Sequence, residues 1–155
     1  MAKELDQAKK MALRWVSYRP RTEAEICTRL KQKGFPQDVV DQITEYLKDF
    51  KYVDDRSFAE QWVKYRLEKK KKSKRLLYTE LRNKGIDDLI ASEVLESITE
   101  DEEYNMAFEQ AKKRTERGNA WSSIARHLVR QGFPNDIVYR VYKDLITKTT
   151  MDEEP

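Results

Sequence analysis

One cysteine and one histidine in 155 residues leave little material for redox or metal chemistry. Cys27 has no partner for an internal disulfide, which fits a reducing compartment. His127 is the only imidazole, so a His/Cys zinc site of the usual kind is excluded. Four glycines and four prolines are too few for a collagen-like or Gly/Pro-rich disordered chain. Neither a phosphate-cradling glycine loop nor a GxGxxG pattern occurs. No apolar run approaches the roughly 20 residues that span a bilayer. Met1 to Lys10 is charged and holds no signal-peptide apolar region. The expectation is a cytoplasmic protein without a membrane partner, without a cofactor or metal, and without catalytic activity.

What is present is repetition. Gly34, Gly85 and Gly132 each precede an apolar residue: Phe35, Ile86 and Phe133. Four residues before these glycines stand Leu30, Leu81 and Leu128, and eight before stand Ile26, Leu77 and Ile124. Five, nine and thirteen residues after them fall Val39, Ile43 and Leu47, then Ile90, Val94 and Ile98, then Ile137, Val141 and Leu145. Steps of four place these side chains on one helix face. Each unit therefore contains a helix closed by its glycine and a second helix after it. The glycine supplies the left-handed residue that commonly ends a helix. Pro36 and Pro134 suit the first turn of the next helix.

A further helix precedes each pair. Met11 to Arg19 aligns with Phe58 to Arg66, sharing Ala, Trp, Val, Tyr and Arg in register, and Met106 to Arg114 is a weaker third copy. Thr22 with Glu25 fits a capping box. Arg117-Gly118-Asn119 reads as a turn between helices. No alternating strand pattern is present. The predicted fold is all-α: nine helices in three tandem three-helix repeats, at 1–50, 51–100 and 101–147, with a disordered tail at 148–155. Such repeats in series tend to stack into one curved, solenoid-like body suited to binding a long partner.

The 31 Lys and Arg nearly balance 28 Asp and Glu, but the charges are segregated. Lys64 to Lys84 holds ten basic residues against two acids. Gly85 to Ala111 holds nine acids and no base. A basic segment can neutralise phosphates, and Trp62, Tyr65 and Tyr78 are nearby for base stacking. A solvated loop explains a lysine run equally well, and Trp62 matches Trp15, which favours a place in the core. Tyr65 matches Tyr18 and so also admits a structural role. His127 matches Arg29 and Glu80, which suggests the surface. Cys27 matches Tyr78 and Ala125, which suggests half-buried packing. Asp54 and Asp55 precede a helix and are better explained as caps than as a catalytic pair.

Tyr52 to Trp62 (Tyr-Val-Asp-Asp-Arg-Ser-Phe-Ala-Glu-Gln-Trp), Lys33-Gly34-Phe35, Glu80 to Ile86 and Arg19 to Ile26 together resemble the RecX family of recombination regulators. The resemblance covers about residues 8 to 147. The third repeat departs most, lacking the tryptophan in its first helix and carrying Gln131 before Gly132. The resemblance implies three tandem three-helix repeats and a negative regulator of the RecA recombinase. Such a regulator binds RecA and its nucleoprotein filament, inhibits strand exchange, ATP hydrolysis and SOS coprotease activity, and also binds single- or double-stranded DNA. The candidate contacts are Arg19, Arg21, Lys64, Arg66, Lys69, Lys70, Lys71, Lys72, Lys74, Arg75 and Arg114, with the acidic stretch facing basic filament surface. The alternative is a DNA-binding protein that acts by competing for single-stranded DNA. A monomer is expected.

Overall fold

A computed structural model describes the backbone of residues 2–69 and 72–153 and the side chains of residues 2–69 and 72–147. Among the described residues the chain forms nine α-helices and no strand. The first three are α1 (Ala2–Tyr18), α2 (Glu23–Gln32) and α3 (Gln37–Asp49). The next three are α4 (Asp55–Lys69), α5 (Lys74–Asn83) and α6 (Asp88–Leu95). The last three are α7 (Glu100–Glu116), α8 (Trp121–Arg130) and α9 (Asn135–Glu153). The all-α reading with helices in threes agrees with these bounds. Helix α9 includes the backbone of residues 148–153, where a disordered tail was expected. Residues 154 and 155 of that tail lie outside the described residues.

The helix ends follow the glycine signal. Gly34, Gly85, Gly118 and Gly132 have φ between 85° and 90°. At each of the three repeat glycines the following apolar residue donates its N–H five residues back. Phe35 reaches Leu30 at 3.3 Å, Ile86 reaches Leu81 at 3.1 Å, and Phe133 reaches Leu128 at 3.1 Å. This is the Schellman closure, which satisfies carbonyls that the helix leaves without partners. Pro36 stands one residue earlier than expected, as the extended N-cap of α3.

Contacts divide the chain into two compact units, Met1–Trp62 with Glu80–Val94, and Val63–Thr79 with Leu95–Pro155. The core of the first includes Ala8, Ala12 and Trp15 of α1, Ile26 and Leu30 of α2, and Val39, Val40, Ile43 and Leu47 of α3. The core of the second includes Met106, Ala107 and Ala111 of α7, Ile124 and Leu128 of α8, and Ile137, Val138 and Val141 of α9. Ala12, Ala59 and Ala107 share one repeat position, and each is fully buried. A methyl group there lets a neighbouring helix approach closely, as the burial of apolar area requires. Ile90 and Leu145, expected in the core, are half-buried.

Two of the repeat glycines also fill a packing role. A Cβ on Gly85 would collide with Cβ of Ala24 in the first turn of α2. A Cβ on Gly132 would collide with Ser73 and come within 2.6 Å of Leu76 Cγ at the start of α5. Gly34 has open space around it. The loop at each of the two crowded glycines therefore lies on the N-terminus of the second helix of the preceding repeat. Polar contacts confirm the pattern inside each unit. Thr22 Oγ1 donates to the Lys84 carbonyl at 2.8 Å, and the Ser73 N–H donates to the Gln131 carbonyl at 2.9 Å.

The same helix starts receive acids from the first helix of the next repeat. Asp55 Oδ1 accepts the Glu23 N–H at 2.9 Å, and Glu103 Oε1 accepts the Lys74 N–H at 3.2 Å. Asp55 and Glu103 each stand three residues before the aligned Phe58 and Met106. A carboxylate at a helix N-terminus completes free N–H groups and opposes the positive end of the dipole. Asp54 caps its own helix, accepting the Ser57 N–H at 3.1 Å. The capping role expected of the Asp54–Asp55 pair is thus real, although Asp55 caps α2 and not α4.

Burial pushes the carboxyls of Asp55 and Glu103 above their ordinary pKa values of 3.8 and 4.5, against the lowering effect of the N–H groups they accept. The folded chain then holds these protons more tightly than the unfolded chain. Their contribution to stability is fully present below the ordinary values and declines as pH rises through the raised ones. The variant Asp55→Asn/Glu103→Gln keeps both acceptors and removes the titration. In urea melts its stability relative to the parent is expected to rise with pH from about 4 and then level. A difference that does not change with pH would refute this. Alanine at either position loses the cap and should cost about 1 kcal/mol.

Candidate functional site

The first unit contains an open cleft of about 530 Å³. Its cationic lining is Arg19, Arg21, Arg29, Arg82 and Lys84, and its one carboxylate is Glu25. The local sequence explains how these side chains converge. Arg19 and Arg21 flank Pro20 in the link between α1 and α2. Arg21 is only 7% exposed, and its Nε donates to the Trp15 carbonyl at 3.3 Å, closing the end of α1. Arg82 and Lys84 sit at the end of α5, where the glycine turn carries them over the start of α2. Arg82 Nη1 donates to the Ile86 carbonyl at 2.9 Å.

Glu25 is central to the electrostatics of the cleft. Arg19 grips its carboxylate through both terminal nitrogens, and Arg21 Nη1 joins at 3.2 Å. The expected capping box is therefore half made. Thr22 Oγ1 accepts the Glu25 N–H at 3.2 Å, while the Glu25 carboxylate serves the two arginines. Phe58 forms part of the wall. Its ring stacks on Trp62 with centroids 6.3 Å apart, and Lys84 Nζ lies 4.4 Å from the Trp62 ring centroid. Trp62 Nε1–H donates to Glu80 Oε2 at 2.9 Å.

Trp62 consequently departs from its sequence counterpart. Trp15 is a core residue, 9% exposed, with Arg29 over its ring at 4.6 Å. Trp62 is half-buried, while Ala59 and Val63 of the same helix are buried. Tyr65 is 52% exposed, with Lys69 Nζ 5.5 Å from its ring centroid.

The remaining basic candidates lie in the second unit. Lys64, Lys69 and Arg75 are exposed, and Arg66, Lys72, Lys74 and Arg114 are half-buried. Lys70 and Lys71 lie outside the described residues. Ser73 anchors this segment: it is fully buried, and its Oγ accepts the Leu76 N–H at 3.4 Å. The start of α5 already holds the Glu103 carboxylate, whose charge faces Lys74. Among the described residues from Lys64 to Arg75, the exposed basic side chains are those of Lys64, Lys69 and Arg75. Parts of the acidic stretch are likewise engaged, with Glu93 paired to Arg56 and Glu103 buried.

His127 is half-buried, where the surface was expected, because its ring packs back toward α7. Its Nε2 lies 2.9 Å from Gln110 Oε1. Burial, then the charges of Arg114 and Arg130, lowers its pKa. Cys27 is half-buried as expected, with its Sγ 3.3 Å from Thr44 Oγ1. Among the described residues no three His, Cys, Asp or Glu side chains gather as a metal set. No helix there is long and apolar enough to cross a membrane.

Of the sequence candidates, Arg19 and Arg21 come together in the cleft. The sequence reading missed Arg29, Phe58 and the central Glu25 as parts of a site. Arg82 and Lys84 were visible only as members of a charge surplus. Their nearness to Arg19 depends on Gly85 lying against Ala24, which no spacing rule announces.

Comparison with known proteins places this arrangement. Residues 8–47 match the family described as RecX, first three-helix domain, and residues 54–95 match RecX, second three-helix domain. The protein of Geobacillus kaustophilus called Regulatory protein RecX is 32% identical over 158 aligned residues, which take in 98% of this chain and 59% of that one. The Mycobacterium bovis protein of the same name is 35% identical over 130 residues, covering 80% of this chain and 75% of its own. The crystal structure of RecX from Lactobacillus salivarius has a TM-score of 0.87 at 25% identity, covering 95% of this chain and 99% of that one. This chain spans about half the length of several curated relatives it matches, at 59%, 51% and 50%. Two matched three-helix domains, a relative covered over three quarters of its length and the shared all-α fold lead to one conclusion: the chain belongs to the RecX family of regulatory proteins.

Proposed function

We propose that this protein is a negative regulator of the RecA recombinase. It binds RecA and its nucleoprotein filament in the cytoplasm, as a monomer, and lowers recombinase, ATPase and SOS coprotease activity without catalysis of its own. The observation that carries this reading is the RecX family's three-helix architecture bearing a cationic cleft. In the first unit the contact toward the filament is Arg19 of that cleft, and in the second unit it is the exposed Lys64, Lys69 and Arg75. Arg21 supports Arg19 by holding Glu25 and the end of α1.

The test adds this protein to preformed RecA filaments on single-stranded DNA and follows ATP hydrolysis. Inhibition is expected at protein well below RecA, and extra DNA should not relieve it. No effect at any ratio would overturn the reading. The basic segment from Lys64 to Arg75 supports a second reading, competition for single-stranded DNA. If about six phosphates were contacted, log K for DNA alone would fall with log salt at a slope of about −4. Inhibition abolished by excess DNA, together with that slope, would put competition first.

A further inference from the structure

The cationic cleft already contains a carboxylate. Glu25 sits in a fork made by Arg19 and Arg21, yet the Arg19 side chain is 46% exposed and that of Glu25 is 29% exposed. Arg21 is fixed by burial and by the Trp15 carbonyl, so Arg19 is the member of the fork that can change partners. Planar guanidinium groups match carboxylates two bonds at a time. Arg82 and Lys84 line the same cleft, which gives a second anionic group a place to settle.

We propose that this cleft binds an acidic peptide segment of a partner protein. A carboxylate of the segment takes Arg19 from Glu25, and a second faces Arg82 and Lys84. Glu25 is then an internal competitor that sets the affinity. The choice of a peptide over nucleic acid follows from donors and acceptors. A phosphodiester backbone carries acceptors and continuous negative charge, so it would repel Glu25 and bring no donor to replace Arg19, leaving only the Arg21 bond. A peptide brings amide N–H groups that Glu25 can accept once Arg19 turns away. Thr28, Gln32 and Asn83 line the cleft with groups that both donate and accept, as a peptide backbone requires. The half-buried Phe58 ring offers apolar area for the stem of an acidic side chain. The identity of the partner as the recombinase rests on the function proposed above. The chemistry of the cleft does not.

The test uses the full chain and a fluorescein-labelled peptide of alternating glutamate and glycine, followed by anisotropy. A glutamine–glycine peptide is the control. The glutamate peptide is expected to bind and the glutamine peptide not to bind. Arg19→Ala/Lys84→Ala should weaken binding roughly tenfold, as the loss of charge-assisted bonds predicts. Arg19→Lys, which keeps the charge and loses the fork, should fall between that variant and the parent. Glu25→Gln should tighten binding several-fold, an effect opposite to that of structural damage. Lys112→Ala/Lys113→Ala on the exposed side of α7 should leave it unchanged. Weaker binding in Glu25→Gln, or an equal loss in the α7 variant, would overturn the proposal. So would a thymidine oligonucleotide that displaces the peptide and is weakened equally by Arg19→Ala/Lys84→Ala, since the cleft would then be a phosphate site. The RecA assay separates the two claims. Peptide binding as described without any effect on RecA overturns the regulatory reading alone, and RecA inhibition without peptide binding overturns the cleft.

Discussion

Alanine in place of Gly85 is expected to cost about 3 kcal/mol or more, while alanine in place of Gly34 costs about 1 kcal/mol. The two glycines share φ near 90°, so the backbone penalty is common to both. They differ in what surrounds the new atom. At Gly34 the added methyl meets open space. At Gly85 it collides with Ala24 Cβ, which is attached directly to the α2 backbone and cannot rotate away. Gly132→Ala should fall between them, because Ser73 and Leu76 are side chains with some freedom to shift. The partner change Ala24→Gly should restore part of the stability lost in Gly85→Ala, since it removes the atom struck. Urea denaturation of the single and double variants measures this. Equal losses at Gly34 and Gly85, or no recovery with Ala24→Gly, would show that the glycine turn does not press on α2.

Leu30→Ala and Leu128→Ala should each cost about 3 kcal/mol. Both leucines are fully buried, and both stand four residues before a repeat glycine. Each accepts the closing N–H of its turn through its carbonyl and fills a core with its side chain. Truncation leaves a cavity that helices fixed on three sides close only in part. Leu30 belongs to the cluster of α1, α2 and α3, and Leu128 to that of α7, α8 and α9. The clusters share no residue, so the double variant is expected to lose the sum of the two within about 0.5 kcal/mol. A larger deviation would show that the two cores are energetically coupled.

Much of the fold is legible in the sequence. The residues at −8 and −4 from each glycine are buried in all three repeats: Ile26 and Leu30, Leu77 and Leu81, Ile124 and Leu128. Local rules explain this success. A period near four residues marks a helix face, and a glycine followed by an apolar residue marks its closure. Where sequence register failed, the cause was a neighbour distant in sequence. Trp15 and Trp62 align residue for residue, yet Trp15 is buried while Trp62 is half-buried, its indole N–H held by Glu80 and its ring beneath Lys84. His127 was expected at the surface, and Gln110 on α7 draws it inward.

The candidate site divides along the same line. Charge segregation and the Thr22 cap are properties of adjacent residues, and the sequence by itself determined them. It also determined the helix count and the closure of a helix at each repeat glycine, since these depend on spacings of a few residues. Only the tertiary structure decided that Asp55 and Glu103 cap helices of the preceding repeat. It alone brought Arg82 and Lys84 beside Arg19, and turned Glu25 from a capping residue into the carboxylate at the centre of a cationic cleft. The physical reason is the glycine turn at Gly85. With no side chain there, the loop can lie against Ala24, and that close approach joins residues some sixty positions apart into one site.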